Sequence, residues 1–281
     1  MNQPEASRSS NRNRTVLVVD DDELMRSLYE EILSIRYEVI SATSGNEALA
    51  ICKKQMPDLI LLDIEMPDMN GYEVCKKLRE TSELPIIFIT AHQSLEEHLK
   101  AYNAGGDDII TKPIDSQNLQ LKVNVAFKNQ AIQQEYVSER STSQSSSGNF
   151  LSTPEESGIL LNFMRASLGC RTYESLAEKL VEAARDFEVE CSVLIRHGKE
   201  TTLLTTHGQA TSLEQSLLEQ SSKMGREFQL KNRLVINQDR ISILVSNLPS
   251  DDEKKAGKIR DNILILAETA EALIESFENR Q

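Results

Sequence analysis

Several features are scarce in this chain, and each scarcity excludes a class of protein. No two of its four cysteines have the spacing of a zinc site or a redox CxxC motif, so we expect buried thiols in a reducing compartment. No stretch approaches the roughly 20 apolar residues of a membrane span, and the polar amino terminus lacks the apolar core of a signal peptide. We therefore expect a cytoplasmic protein without a membrane partner. The cysteines are Cys52, Cys75, Cys170 and Cys191.

Basic residues are also in the minority. The net charge is -13, with 31 Lys and Arg against 44 Asp and Glu. Residues 150–281 contain 16 Lys and Arg and 21 Asp and Glu, a net of -5, which leaves -8 for the first part. Neither part offers the basic surface that neutralises nucleic-acid phosphates. We therefore expect no nucleic-acid partner, and a DNA-binding role is the least favoured of the functions considered.

Strand and helix patterns alternate five times between residues 15 and 114. Short apolar runs such as Val16–Val19, Leu59–Leu62 and Ile86–Ile89 predict strands, and the amphipathic segments between them predict helices. Runs that are apolar at every position are typical of strands whose two faces are both covered. The pattern predicts an α/β domain in which helices lie on both sides of a parallel sheet.

Polar residues follow four of the predicted strands. Asp20 and Asp21 follow the first strand, Asp63 the third, Thr90 the fourth and Lys112 the fifth. Ligands of an open parallel sheet bind at this carboxyl edge. Adjacent ionised carboxylates repel each other unless a cation lies between them, and Mg²⁺ suits oxygen ligands beside a phosphate. A carboxylate can also attack phosphorus, while a hydroxyl and an ammonium stabilise the transferred group. The set predicts a phosphoryl-transfer site.

The segments that carry these residues resemble response-regulator receiver domains. The resemblance implies a flavodoxin-like, doubly wound, five-stranded fold of the CheY type. It implies a histidine kinase or phosphotransfer protein as the phosphoryl donor. It also implies a switch rather than an enzyme, apart from catalysis of its own phosphorylation and dephosphorylation. The matching segments are Val16–Asp21, Leu61–Pro67, Ile89–Ala91 and Lys112–Ile114.

The same resemblance implies a role for each acidic residue of the set. Asp63 would accept the phosphoryl group. Asp20, Asp21 and Asp63, together with the backbone carbonyl of Glu65, would hold Mg²⁺. Asp22 lies outside the aspartate pair, and we expect it to stand in solvent at the start of a helix.

The remaining residues concern the phosphoryl group and the switch. The resemblance implies that Thr90 and Lys112 contact the phosphoryl group and that Thr90 moves when the group is present. The family usually has an aromatic residue three positions before the lysine, whereas this chain has Ile109, which leaves coupling to the outer face open. Glu65 and His92 follow the phosphoacceptor and the threonine by two residues. They would flank the attacking water and set the lifetime of the phosphoryl group.

Composition divides the chain into four parts. Residues 1–13 predict a disordered lead-in, and residues 14–137 the receiver domain with an extended last helix. Residues 138–150 are rich in serine and predict a linker. Residues 151–281 predict a second domain that mediates output or dimerisation.

The second domain has a different element order. The pattern predicts helix, hairpin, helix, hairpin and helix, which implies an α+β domain with an antiparallel sheet and helices to one side. This order resembles a GAF-type domain. Ser212 and Gln215 predict a capping box at the start of its middle helix. We expect His197 and His207 to be exposed at hairpin edges and His98 to lie on a solvated helix face.

Two classes of output stay open at this point. In the first, phosphorylation controls a domain that contacts a downstream protein or forms a homodimer, for which the long helices at 120–135 and 251–278 provide candidate contacts. In the second, the GAF-like domain senses a small ligand or regulates a partner enzyme. The acidic composition of the second domain disfavours DNA binding in either class.

Overall fold

A computed structural model gives the architecture of residues 14–143 and 154–278, apart from residues 93, 222, 223, 231 and 250. The predicted lead-in at 1–13 and the part of the predicted linker at 144–150 lie outside these described residues. Within them, no helix combines the length and apolar character needed to cross a bilayer. The chain forms two compact units. The first comprises Met1–Ala91, Ala104–Gly106 and Ile110–Gln120, and the second comprises His92–Asn103, Asp107–Ile109 and Leu121–Gln281.

The first sheet has the predicted flavodoxin-like order. Its strands are β1 (Thr15–Val19), β2 (Glu38–Ala42), β3 (Leu59–Asp63), β4 (Ile86–Thr90) and β5 (Asp108–Thr111). They are arranged β2-β1-β3-β4-β5, and the pairs β1/β2, β1/β3 and β3/β4 are parallel. Every residue of β1, β3 and β4 is buried, as expected for central strands with both faces covered. The accompanying helices are α1 (Glu23–Leu33), α2 (Gly45–Lys54), α3 (Gly71–Leu78), α4 (Leu95–Ala104) and α5 (Ser116–Ser143).

The turn from β3 to α3 passes very close to the end of the strand. The Gly71 amide donates to the Ile64 carbonyl, with 3.0 Å between nitrogen and oxygen. A Cβ atom on Gly71 would lie 2.3 Å from the carbonyl oxygen of Asp63. Asn70 and Glu73 then form a capping box that starts α3. Glycine is therefore required at position 71 by the approach of one backbone segment to another.

The second sheet is antiparallel and has five strands. These are β6 (Cys191–His197), β7 (Glu200–Thr205), β8 (Glu227–Leu230), β9 (Arg233–Asn237) and β10 (Ile241–Val245), in the order β7-β6-β10-β9-β8. Both predicted hairpins are present, and β8 is an additional edge strand that the sequence pattern did not reveal. The helices of this part are α6 (Pro154–Ser167), α7 (Tyr173–Asp186), α8 (Ser212–Ser221) and α9 (Glu253–Glu278).

Helices cover both faces of this sheet, so the prediction of helices to one side is wrong. One face carries Val193, Ile195 and Ile243 and packs in a core with α6, α7 and α9. The opposite face carries Ser192 and Ser242, and α8 packs against β6 and β10. The burial of the strands explains why both faces are covered. Every residue of β10 and the first five residues of β6 are buried. A sheet with one solvated face would show alternating burial instead.

Buried polar groups hold α8 at its amino terminus. The amide of Glu214 donates to Thr211 Oγ1 at 3.2 Å, and the amide of Thr211 donates to a Glu214 carboxylate oxygen at 2.9 Å. This reciprocal pair is a capping box one residue earlier than the predicted Ser212–Gln215 pair, which is therefore wrong. The first residue of a capping box is the residue just before the helix. Because α8 begins at Ser212, that residue is Thr211. Glu214 also accepts a hydrogen bond from Ser192 Oγ at 3.0 Å.

Side chains from the sheet also satisfy the carboxyl end of α8. Arg196 donates to the carbonyl of Leu218 at 2.7 Å, and Asn237 donates to the carbonyl of Ser221 at 2.9 Å. The last carbonyls of a helix have no partner within the helix, and a cation near them complements the helix dipole. Both ends of α8 are thus tied to one polar face of the sheet.

His207 is buried against Glu214, contrary to the prediction that it is exposed. Its Nε2 lies 3.2 Å from a Glu214 carboxylate oxygen. Burial alone would raise the pKa of Glu214, but the charge and hydrogen bond of His207, with those from Thr211 and Ser192, lower that pKa to about 2. Burial alone would lower the pKa of His207, but the charge of Glu214 outweighs it and raises that pKa above its usual value. Glu214 is therefore ionised near neutral pH, and its charge favours the protonated form of His207.

The His207–Glu214 pair predicts a stability maximum in mildly acidic solution. The contribution of Glu214 to the free energy of unfolding is complete above its unfolded pKa of 4.5. It is lost as the pH falls toward 2. The His207 contribution is complete below its unfolded pKa of 6.5 and is lost as the pH rises through its raised folded pKa. Chemical denaturation of the full chain should show this profile.

Glu214→Gln should lower the free energy of unfolding by about 3 kcal/mol at pH 6, whereas Glu219→Gln on the exposed side of α8 should leave it almost unchanged. Equal costs for the two variants would contradict the assignment.

Two glycine substitutions should have opposite effects on stability. Gly71→Ala should lower the free energy of unfolding by about 2 kcal/mol, because the new methyl group collides with backbone atoms that cannot move away cheaply. Gly257→Ala in α9 should raise it by about 1 kcal/mol, because nothing lies within 4 Å of the added carbon and alanine favours the helix. Thermal and chemical denaturation of both variants check this pair. An unaffected Gly71→Ala variant would contradict the close approach.

Candidate functional site

Three carboxylates meet at the carboxyl edge of the first sheet. Asp20 and Asp21 follow β1, and Asp63 ends β3. One carboxylate oxygen from each residue lies within 4.8 Å of those from the other two. Asp20 and Asp63 are almost completely buried, whereas Asp21 is exposed. The cluster therefore has a buried base and an open rim, and it consists of residues that the strand ends predicted.

The backbone around the aspartate pair is held in place by its own neighbours. The Arg26 guanidinium donates to the carbonyl oxygens of Asp20 and Asp21, at 2.8 and 2.9 Å. The amide of Asp22 donates to Asp20 Oδ1 at 2.9 Å. Asp22 also accepts from the Leu24 amide and so caps α1, as expected for an acid at a helix start. These contacts fix the direction in which the Asp20 carboxylate points.

Lys112 supplies the cation of the site. Its ammonium nitrogen lies 2.7 Å from Asp63 Oδ1 and 3.2 Å from Asp20 Oδ2. The Lys112 amide donates to the carbonyl of Thr90 at 2.7 Å, and the peptide bond to Pro113 is cis. Thr90 itself ends β4 and is buried. The lysine, the threonine and the carboxylates are thus all at the same edge of one sheet.

The electrostatics of the cluster favour an additional cation. Burial raises the pKa of Asp63 to about 6, and the charges of Asp20 and Asp21 add to this effect against the opposing hydrogen bond from Lys112. Burial would lower the pKa of Lys112, but its hydrogen bond to Asp63 and the charge on that residue outweigh burial and raise it. Three carboxylates with one ammonium leave excess negative charge. Their oxygen donors fit a hard divalent ion such as Mg²⁺.

Three other predicted site residues, Glu65, His92 and Ile109, differ in their exposure to solvent. Glu65 and His92 are exposed, two residues beyond Asp63 and Thr90. Ile109 is buried in β5 and presents neither a ring nor a polar group. Their proposed roles stay predictions.

Sequence reasoning missed two residues at the site. Arg26 clamps the carbonyls of the aspartate pair, and Tyr29 is completely buried on the same helix. Burial raises the pKa of Tyr29, and the charges of Asp20 and Asp63 raise it further. A signal was present, because Arg26 and Tyr29 are three residues apart and so lie on one side of α1. That side could have been recognised as the one facing the aspartates.

Comparisons with known proteins agree with this geometry. Residues 16–124 match the family model described as the response regulator receiver domain. The probable transcriptional regulator ycf27 of Guillardia theta is 31% identical over 186 residues, which are 66% of this chain and 67% of that protein. The ycf27 protein of Porphyridium aerugineum is 41% identical over 114 residues, which are 40% of this chain and 48% of that protein. The chain thus spans about half the length of some curated relatives that it matches.

Solved structures also match this chain. The chemotaxis protein CheY4 of Vibrio cholerae is 32% identical and covers 40% of this chain and 98% of its own, with a TM-score of 0.39. The family match and the Guillardia theta relative carry the assignment, together with the strand order and the acidic cluster. The chain belongs to the response-regulator family, with its receiver domain at the amino-terminal end.

Proposed function

We propose that this chain is the response regulator of a two-component phosphorelay and that Asp63 accepts the phosphoryl group. The observation that carries the proposal is the Lys112 ammonium between Asp63 and Asp20, 2.7 and 3.2 Å from their oxygens. The Lys112 ammonium, held beside Asp63, would neutralise negative charge on a phosphoryl group transferred to that residue. A histidine kinase or a phosphotransfer protein would be the donor.

The proposed reaction is a transfer from phosphohistidine to a carboxylate. An oxygen of Asp63 attacks phosphorus, and the bond between phosphorus and the imidazole nitrogen breaks, with its electron pair staying on that nitrogen. Lys112 and the Thr90 hydroxyl then stabilise the oxygens of the transferred group. Bound Mg²⁺ would supply further charge neutralisation, held by Asp20, Asp21, Asp63 and the carbonyl of Glu65.

Loss of the phosphoryl group requires water at the same phosphorus atom. Glu65 and His92 are both exposed and follow the reacting residues by two positions. We propose that they flank this water and set the lifetime of the phosphorylated state. Such a chain regulates its own phosphorylation without acting as an enzyme on other substrates, which suits a cytoplasmic switch.

The proposed output is a protein contact. We assign residues 14–137 to the receiver, 138–150 to a linker and 151–281 to a GAF-like domain that contacts a downstream protein or forms a homodimer. The antiparallel sheet with α9 and the net charge of -5 in the last part support this output. The relatives from Guillardia theta and Porphyridium aerugineum are named transcriptional regulators. A gel-shift assay on the full chain tests a DNA-binding alternative directly.

One observation favours a ligand-sensing output as the second candidate. Arg196 Nη1 and His207 Nδ1 are buried and have no hydrogen-bond partner among the described residues. Unsatisfied buried donors carry a free-energy penalty that a small polar ligand could relieve. Native mass spectrometry of the purified full chain separates the two outputs. A bound small molecule favours the sensor, and an empty chain whose oligomeric state changes on phosphorylation favours the protein contact.

Phosphoryl labelling should depend on Asp63. We expect Asp63→Asn to lose essentially all alkali-labile label from a small phosphodonor with Mg²⁺, because the amide is a poor nucleophile. Asp68→Asn is the matched control, since Asp68 is exposed five residues later and asparagine tolerates its positive φ of 67°. Intact mass spectrometry measures the added group. Equal labelling of Asp63→Asn and the wild type would refute the assignment.

Magnesium affinity should depend on the aspartate pair. Asp21→Asn should weaken Mg²⁺ binding by roughly tenfold or more, because it removes one of three clustered carboxylates. Asp22→Asn provides the control, since asparagine caps a helix as well as aspartate does and Asp22 lies outside the cluster. Isothermal titration of the unphosphorylated chain measures both variants. A loss of affinity that is equal in the two would show that only net charge matters.

A further inference from the structure

The hydroxyl group of Tyr29 is buried without a good hydrogen-bond partner. Tyr29 lies on α1 and is completely buried. Among the residues that the structure describes, none forms a hydrogen bond of full geometry with its hydroxyl oxygen. A buried hydroxyl without a partner carries a free-energy penalty. Phenylalanine would fill the same volume without that penalty, so packing alone does not account for the hydroxyl.

The charges that act on this hydroxyl come from the acidic cluster. Burial raises the pKa of Tyr29 most, the charges of Asp20 and Asp63 raise it further, and an interaction of the hydroxyl with the Asp20 side chain adds to them. The hydroxyl and the Asp20 carboxylate are therefore neighbours, although their contact falls short of full hydrogen-bond geometry. The raised pKa keeps the hydroxyl protonated. Tyr29 thus places a hydrogen-bond donor beside a carboxylate of the cluster.

The other contacts of Asp20 show that its orientation is set by protein groups. Its Oδ1 accepts from the Asp22 amide at 2.9 Å, and its Oδ2 lies 3.2 Å from the Lys112 ammonium nitrogen. Arg26 on α1 donates to its carbonyl oxygen at 2.8 Å. Asp20 is almost completely buried, so bulk water contributes little to its orientation. Helix α1 therefore approaches both the backbone of Asp20, through Arg26, and its side chain, through Tyr29.

A carboxylate that binds a metal ion is commonly oriented by hydrogen bonds from residues that do not touch the ion. Tyr29 has the properties that such a residue needs. Its hydroxyl can donate one hydrogen bond, and its ring is held by complete burial. The cluster is open to solvent at Asp21, whereas Tyr29 belongs to its buried base. The hydroxyl can therefore orient Asp20 without blocking the open rim.

We propose that Tyr29 is a positioning residue for the divalent ion, whose buried hydroxyl donates to the Asp20 carboxylate and holds it in the orientation that binds Mg²⁺. Tyr29 touches neither the ion nor the phosphoryl group. The inference rests on the proposed function, because the proposed Mg²⁺ site gives Asp20 its role. The hydroxyl lowers the stability of the metal-free chain and raises the affinity for the metal.

The substitution Tyr29→Phe removes the hydroxyl and keeps the ring. Isothermal titration of the unphosphorylated full chain should show a Kd for Mg²⁺ that is higher by about tenfold. Without Mg²⁺, the thermal midpoint should be unchanged or higher, because the variant lacks a buried hydroxyl without a partner. The Mg²⁺ concentration that gives a fixed rise in the midpoint should increase about tenfold as well. An unchanged Kd would overturn the proposal and leave the proposed function standing.

Tyr102→Phe is the matched control. Tyr102 is also buried, and its hydroxyl likewise lacks a hydrogen bond of full geometry in the described part of the chain. It belongs to the second compact unit, whereas Tyr29 and the acidic cluster belong to the first. The control should therefore leave the Kd for Mg²⁺ unchanged. An equal rise in Kd for the two variants would contradict a specific role of Tyr29.

The Mg²⁺ dependence of phosphorylation provides a second readout. With a small phosphodonor, Tyr29→Phe should need about tenfold more Mg²⁺ for half-maximal labelling of Asp63, as measured by intact mass spectrometry. At saturating Mg²⁺ it should reach the wild-type level, because Tyr29 acts only through the metal ligand. Loss of labelling at every Mg²⁺ concentration would sink the positioning role.

The wild type separates failure of this inference from failure of the proposed function. A wild-type chain that binds Mg²⁺ but takes up no phosphoryl group would refute the phosphoacceptor assignment, while the Kd of Tyr29→Phe would still decide the role of Tyr29. A wild-type chain that binds no Mg²⁺ would refute the metal site and the role of Tyr29 together.

Discussion

Carboxylate crowding at the end of β1 and β3 is the constraint on which the receiver depends. Asp20 and Asp63 are both buried at this edge, and burial together with the charge of Asp20 raises the pKa of Asp63. Lys112 relieves part of this repulsion. Strand order places the lysine there, because β5 follows β4 at the edge of the sheet. The parallel sheet thus brings carboxylates of like charge together, and their repulsion favours a bound cation at this edge.

The second sheet meets a related constraint in another way. Its face toward α8 carries Arg196, while Glu214 lies on α8 itself and His207 in the loop before α8, and buried charges need partners. Glu214 pairs with His207 while it caps the start of α8, and Arg196 binds a carbonyl at the other end. One short helix therefore satisfies several polar groups at once.

Some elements could be predicted from the chain because their causes are local. Asp63 and Thr90 follow short apolar runs, and the carboxyl ends of parallel strands share an edge. Asp22 caps α1 through an amide only two residues away. The capping box of α8 was predicted one residue too late, because Thr211 and Ser212 are both capable caps and only the surrounding fold selects one. Helices on both faces of the second sheet were missed, because Ser192 and Ser242 interrupt the apolar runs of β6 and β10 and so hide that both of their faces are buried.

The sequence by itself determined the chemistry of the receiver site, because strand order and strand ends specify which side chains meet there. Only the tertiary structure decided the environment of His207, His98 and Asp108. Each of these residues is polar and would be placed in solvent by its local pattern. Their partners Glu214, Ser216 and Lys122 lie 7, 118 and 14 residues away. Pairing over such distances is set by how helices and sheets pack, and no periodicity within a short segment records it.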